Sequence, residues 1–132
     1  MNIEEIMIGD WVFNKHHQYP IRITPFDFFT HTHDKYGEQH LMASSNVAFG
    51  RDFEPIPVTG EILKKNGFEI STDVGYVFED YKTTVIYSDF YRQLKILKEY
   101  NVVFDSGKWS NICVHEMQHA LRLCKVDKDI EI

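Results

Sequence analysis

Two prolines one residue apart, Pro55 and Pro57, constrain this chain more than any other feature. Each fixes its own φ and pushes the preceding residue out of the helical region, so Pro55-Ile56-Pro57-Val58 must be extended. Thr59 follows at once, with a hydroxyl suited to accept from the free N–H groups of a helix start, and Glu61 sits in the favourable first turn. Ile62, Leu63 and Phe68 supply a buried side, and Asn66-Gly67 supplies a left-handed stop. An extended arm and a short capped helix therefore open the stretch over residues 54–126, distinct from a β-rich N-terminal stretch over residues 1–53.

Beyond the stop, residues 68–71, 75–78 and 83–88 read as strands separated by Asp73-Val74-Gly75 and Glu79-Asp80-Tyr81, which predicts a meander. Residues 90–101 partly fit a helical period through Tyr91, Leu94, Ile96, Leu97 and Tyr100, but read better as strand. Asp105-Ser106-Gly107 is a turn, and Ser110 caps a predicted final helix over 111–124. On that helix Cys113, Met117, Ala120 and Cys124 form a stripe flanked by Val114 and Leu121, which faces the core. The end alternates charge with isolated apolar residues, and 127–132 reads as a fraying tail.

Upstream, Ile8-Gly9-Asp10 offers a turn before a strand at Trp11-Val12-Phe13. Tyr19-Pro20 reopens an extended run, and Ile21-Arg22-Ile23-Thr24 alternates with the period of a half-buried strand, so the two can pair as a hairpin. Residues 25–36 read as an ordered loop; 39–44 and 46–49 read as two short strands around Ser44-Ser45, the second ended by Gly50. The expected fold is a single α+β domain over residues 1–132. It has a small N-terminal β module, for which an SH3-like barrel is one form, a short middle helix, a β meander, and a C-terminal helix packed on the sheet.

The chain has 132 residues, one core's worth, and 43% of them are hydrophobic, enough to offset the entropy of ordering. Its net charge of -6, without a local Lys/Arg cluster, disfavours nucleic acid as a partner. The acidic start carries no signal-peptide pattern, and no run approaches the roughly 20 apolar residues of a membrane span. Cys113 and Cys124, about 16 Å apart if both lie on the last helix, cannot bridge, which fits a reducing cytoplasm. The expected partner is protein.

One formal motif stands out: His115-Glu116-Met117-Gln118-His119, an H-E-x-x-H. Helical spacing lets both imidazoles reach one Zn²⁺, with Glu116 polarising a bound water for peptide hydrolysis, as in the zinc peptidases called zincins. Neither zincin pattern for the third ligand can be completed. Arg122 and Lys125 stand where the metzincin glycine and histidine would fall, and Asp127, Asp129 and Glu131 lie in the predicted tail. His31, His33 and His40 are the other candidate donors. The helical wheel places His115 and His119 with Arg122 opposite the Met117 stripe, as a polar face bordered by Ile112 and Leu123. The alternative to zinc is a pair of helix histidines that hydrogen-bond their neighbours, and that reading leads.

Other groups weigh less. Trp11, Phe13, Phe26, Phe28 and Phe29 could line a peptide groove, but aromatics in a small domain are more often core. His16 and His17 read as loop histidines in solvent, and Ser44, Ser45 and Ser110 carry no nucleophile signature.

Three segments together carry a resemblance: Ile8 to Val12, Glu54 to Leu63 with Gly67-Phe68, and the Val-His-x-x-Gln start of the last helix, Val114 to Gln118. In this order they resemble a group of small uncharacterised proteins of gut anaerobic bacteria and their phages and mobile elements. In many of those relatives the motif's glutamate is glutamine and its second histidine asparagine, which a zinc peptidase could not tolerate. The resemblance implies an accessory protein of phage or mobile-element origin that acts by binding; no cofactor is expected, with zinc as the alternative. The expected function is thus a non-catalytic interaction domain. The alternative is a small zinc-dependent metallopeptidase using His115, Glu116 and His119, and an inhibitor of a host nucleic-acid enzyme ranks third.

Overall fold

The computed structural model describes residue 1 and residues 3–33, 39–43 and 46–132, without the side chains of 29–48. The chain divides into two compact units, Met1–Ile56 and Pro57–Ile132.

In the first unit, β1 (Trp11–Asn14) and β2 (Tyr19–Arg22) form the expected antiparallel hairpin, with Val12 opposite Ile21 and Phe13 opposite Pro20. Asn14 sets the turn, its Oδ1 accepting from the N–H groups of His16 (2.9 Å) and His17 (3.0 Å). The expected loop over 25–36 is corrected. Pro25–Phe28 is a 3-10 turn closed by Asp27 Oδ2, which accepts from Thr24 N–H at 2.7 Å, and β3 (Phe29–His33) follows, paired with β4 (Gln39–Ala43). The 34–38 portion and the Ser44-Ser45 turn lie outside the described residues.

The strand expected over 46–49 is also corrected, because α1 spans Asn46–Asp52. A short apolar run does not reveal its own period, and Gly50, read as a stop, lies inside the helix. The short β5 (Phe53–Glu54) then completes a three-stranded sheet in the order β2-β1-β5. Phe49 and Phe53, ring centroids 4.7 Å apart, build the unit's core with Ile6, Val12 and Ile23. The described strands form an open sheet and a separate hairpin, and an SH3-like barrel is not among the features shown.

The second unit opens as the prolines require. Thr59 caps α2 (Gly60–Lys65), its hydroxyl accepting from Ile62 N–H at 3.3 Å, and Gly67 takes the left-handed φ of +87° that ends it. A five-stranded antiparallel meander follows in sequence order: β6 (Glu69–Ser71), β7 (Gly75–Asp80), β8 (Thr83–Ser88), β9 (Gln93–Lys98) and β10 (Asn101–Asp105). Val85, Tyr87, Leu94 and Ile96 alternate inward from β8 and β9 and are buried. The final helix α3 (Val114–Leu123) buries Val114, Met117, Ala120 and Leu121. The chain is α+β, with a strand meander and a C-terminal helix.

Two expectations fail at the C-terminal end. The helix does not start at Asn111 under a Ser110 cap; the Ser110 hydroxyl donates instead to the Arg92 carbonyl at 2.9 Å, and Trp109 and Asn111 hold left-handed φ values of 63° and 51°. Nor does the tail fray. Val126 and Ile130 are buried, and Glu131 is clasped by Asn66, whose Oδ1 accepts from Glu131 N–H (2.8 Å) while its Nδ2 donates to the Glu131 carbonyl (2.7 Å). No helix among the described residues is long and apolar enough to cross a membrane.

Candidate functional site

The H-E-x-x-H residues begin α3, and the structure gives each a place the wheel did not. Cys113 is the N-cap, so Val114, His115 and Glu116 are the first three helical positions. The Glu116 carboxylate turns back to accept from Cys113 N–H at 3.0 Å, the reciprocal half of a capping box. His115 is not on a polar surface: it is 5% exposed, and Gln118 is buried beside it, while Glu116 and Arg122 face out. The wheel failed because α3 buries a wider arc than the Met117 stripe.

The His115 and His119 rings sit 5.8 Å apart, nearly perpendicular, as one helical turn dictates. Two imidazoles so placed can share a metal only with another donor, and no group of three or more His, Cys, Asp or Glu among the described residues is placed to hold one. His31 and His33 lie on β3 and His40 on β4 of the first unit, where the register sets His40 opposite Thr32. Their side chains are outside the described ones. Cys113 and Cys124 are free thiols; burial, then the neighbouring Glu116 carboxylate, pushes the Cys113 pKa up, away from nucleophile chemistry.

The remaining sequence candidates do not gather. Phe28 packs against the first unit's core, Trp11 lies under the Arg22 guanidinium at 4.8 Å, and Phe26 stands exposed. His16 pairs with Asp52 at 2.6 Å, and His17 stacks on Tyr19.

What the structure does bring together is a cluster that the sequence pattern did not reveal. The four-residue loop between β8 and β9 carries Phe90, Tyr91 and Arg92, and the segment after β10 carries Lys108 and Trp109. Phe90 meets Tyr91 edge-on at 4.9 Å, Trp109 lies 5.9 Å from Tyr91 and 6.3 Å from Phe90, and the Lys108 ammonium stands 4.3 Å over the Tyr91 ring. Phe90 is 72% and Trp109 59% exposed.

The cluster is fixed from behind. Trp109 N–H donates to the Tyr91 carbonyl at 2.7 Å, Tyr91 N–H to Ser88 Oγ at 3.1 Å, and Arg92 to Asn111 Oδ1 at 2.9 Å. Arg92, Trp109 and Asn111 all hold left-handed backbone without being glycine, a conformation that persists only where surroundings impose it. Next to the rings opens a cavity of about 510 Å³ lined by Pro57, Val58, Tyr87, Asp89, Arg92 and Ile112. The only hint in the sequence was bulky aromatics at 90, 91 and 109 amid turn residues, where nothing local says whether they are exposed.

No protein-family model matches the chain, and no match was found among the curated proteins or the solved structures.

Proposed function

We propose that the chain is a non-catalytic protein-binding domain, an accessory protein of phage or mobile-element origin working in the cytoplasm, which engages its partner through Phe90, Tyr91 and Trp109. The observation that carries this reading is the exposed aromatic cluster itself, three rings in mutual contact and braced by backbone hydrogen bonds. Trp, Tyr and Arg are the residues in which interface binding energy concentrates, and a rigid cluster loses little entropy on association. Lys108 and Arg92 flank the rings, so the matching surface presents carboxylates around an apolar centre.

The test is to capture the complex from the native host, identify the protein held, and titrate it against purified chain. Trp109→Ala and Phe90→Ala should each weaken binding by about 30-fold, the 2 kcal/mol expected of a hot spot, while leaving the thermal midpoint within a few degrees. Affinities within threefold of wild type for both variants would place the interface elsewhere.

A further inference from the structure

The meander's other end carries a second aromatic pair, independent of the protein-binding reading. Consecutive hairpin loops of an antiparallel meander alternate ends, so the β7–β8 and β9–β10 tips lie together, away from the β8–β9 loop. Each tip is a two-residue loop: Tyr81-Lys82 between the paired Asp80 and Thr83, and Glu99-Tyr100 between the paired Lys98 and Asn101. Tyr81 is 93% and Tyr100 98% exposed.

Both tyrosines stand where the backbone disfavours them. Glu99 and Tyr100 have φ of 51° and 71°, the double left-handed pattern of a type I′ turn for which Asn-Gly is the usual choice, and Tyr81 has φ of 56°. Neither ring contributes to a core, so packing does not explain them. The tips are tied together, since Glu99 N–H donates to the Lys82 carbonyl at 2.9 Å, and the two rings line one pocket of about 390 Å³ with Glu79, Lys82, Thr84 and Glu99. That volume lies at the small end of the roughly 300–1,000 Å³ of small-ligand sites.

Charge selects the ligand. Two carboxylates against one ammonium repel phosphates and nucleic acid. A cationic ligand would have to displace the Lys82 ammonium, which stands 5.6 Å over one face of the Tyr81 ring and pairs with Glu99 at 3.2 Å, whereas a neutral ligand can use the other face of Tyr81 and the exposed Tyr100 ring. What remains is a neutral molecule with flat C–H faces to lie on aromatic rings and hydroxyls to donate to carboxylates. We propose that Tyr81 and Tyr100 form a stacking platform for a short neutral oligosaccharide, with Glu79, Glu99 and the Thr84 hydroxyl hydrogen-bonding its hydroxyl groups.

The experiment titrates the full chain by calorimetry with cellopentaose, maltopentaose, xylopentaose and mannopentaose, each up to about 10 mM, a range that captures the weakest specific affinities. Saturable binding of at least one is expected, weakened at least tenfold by Tyr81→Ala and by Tyr100→Gly. The glycine variant suits the left-handed turn, so it should lose binding while its thermal midpoint holds or rises, which separates lost stacking from lost folding. Trp109→Ala should leave sugar binding unchanged. Binding of none of the four, binding that survives both tyrosine variants, or binding that depends on Trp109 would overturn the proposal.

Discussion

Replacing Ile130 by alanine tests whether the last residues belong to the fold. Ile130 is 1% exposed, so the substitution removes three fully buried carbons. At about 0.8 kcal/mol per buried methylene the transfer term is about 2.4 kcal/mol. The cavity left behind adds to it, less whatever the short segment recovers by settling inward, giving about 3 kcal/mol within the usual 2–5 range. The unfolding equilibrium should therefore shift by roughly 150-fold, and the thermal midpoint should fall by about 12–24 °C at 4–8 °C per kcal/mol.

Urea unfolding followed by circular dichroism measures the change, with an unaltered m-value showing that the unfolded state is the same. Asn66→Ala supplies the second arm, since its side chain donates to the Ile62 carbonyl (2.7 Å) as well as clasping Glu131. Because Asn66 and Ile130 secure the same segment, the double variant should be less destabilised than the sum of the singles, by at least about 0.5 kcal/mol. If the segment were free, Ile130→Ala would act like a surface change, within about 0.5 kcal/mol, and the Glu131 amide would exchange at the rate of an unprotected chain. Either result refutes the docked end.

Two further perturbations probe local electrostatics. Glu116→Gln keeps an acceptor for Cys113 N–H and should cost only a few tenths of a kcal/mol, whereas Glu116→Ala removes the capping box and should cost about 1 kcal/mol; equal losses in thermal melts would contradict the capping role. The Asp105 carboxyl is held below the usual range by the Gln93 amide (2.7 Å) and then Gly107 N–H (2.8 Å), so its contribution to stability is present above about pH 4 and lost as pH falls through its lowered folded value. Asp105→Asn should therefore be less stable than wild type at neutral pH, with the gap closing in acid; parallel pH–stability curves would contradict it.

The elements that could be read from sequence were those whose cause is local. Thr59, Asn66 and Gly67 act on backbone within one turn of themselves, and the helix they bound forms where they place it. The meander's strands follow from alternation interrupted by turn residues. What escaped was set by distant partners. Ser110 has the chemistry of a cap but gives its hydroxyl to Arg92, 18 residues earlier, and the tail's charged pattern looked solvated because its anchor, Asn66, stands 65 residues away. The aromatic cluster was hidden for the same reason, since Tyr91 and Trp109 meet only after β9 and β10 have folded back.

The glutamate of the motif at the start of α3 has a sufficient explanation in helix physics. A helix that begins at Val114 places residue 116 at the third position, where a glutamate side chain can satisfy the free N–H of the N-cap and meet the positive end of the dipole. Spacing of four then sets residue 119 on the same side as residue 115, whatever either does. The pattern is thus divided between two tasks: Val114, His115, Met117 and Gln118 are buried, while Glu116 closes the helix end from the outside. To serve as a general base, Glu116 would have to leave the cap, giving up about 1 kcal/mol of helix stability. It would also need a metal whose third donor the described residues do not provide. The needs of a helix start thus account for Glu116 and for the spacing of the motif, while the identities of His115 and His119 are a separate matter of what each ring packs against.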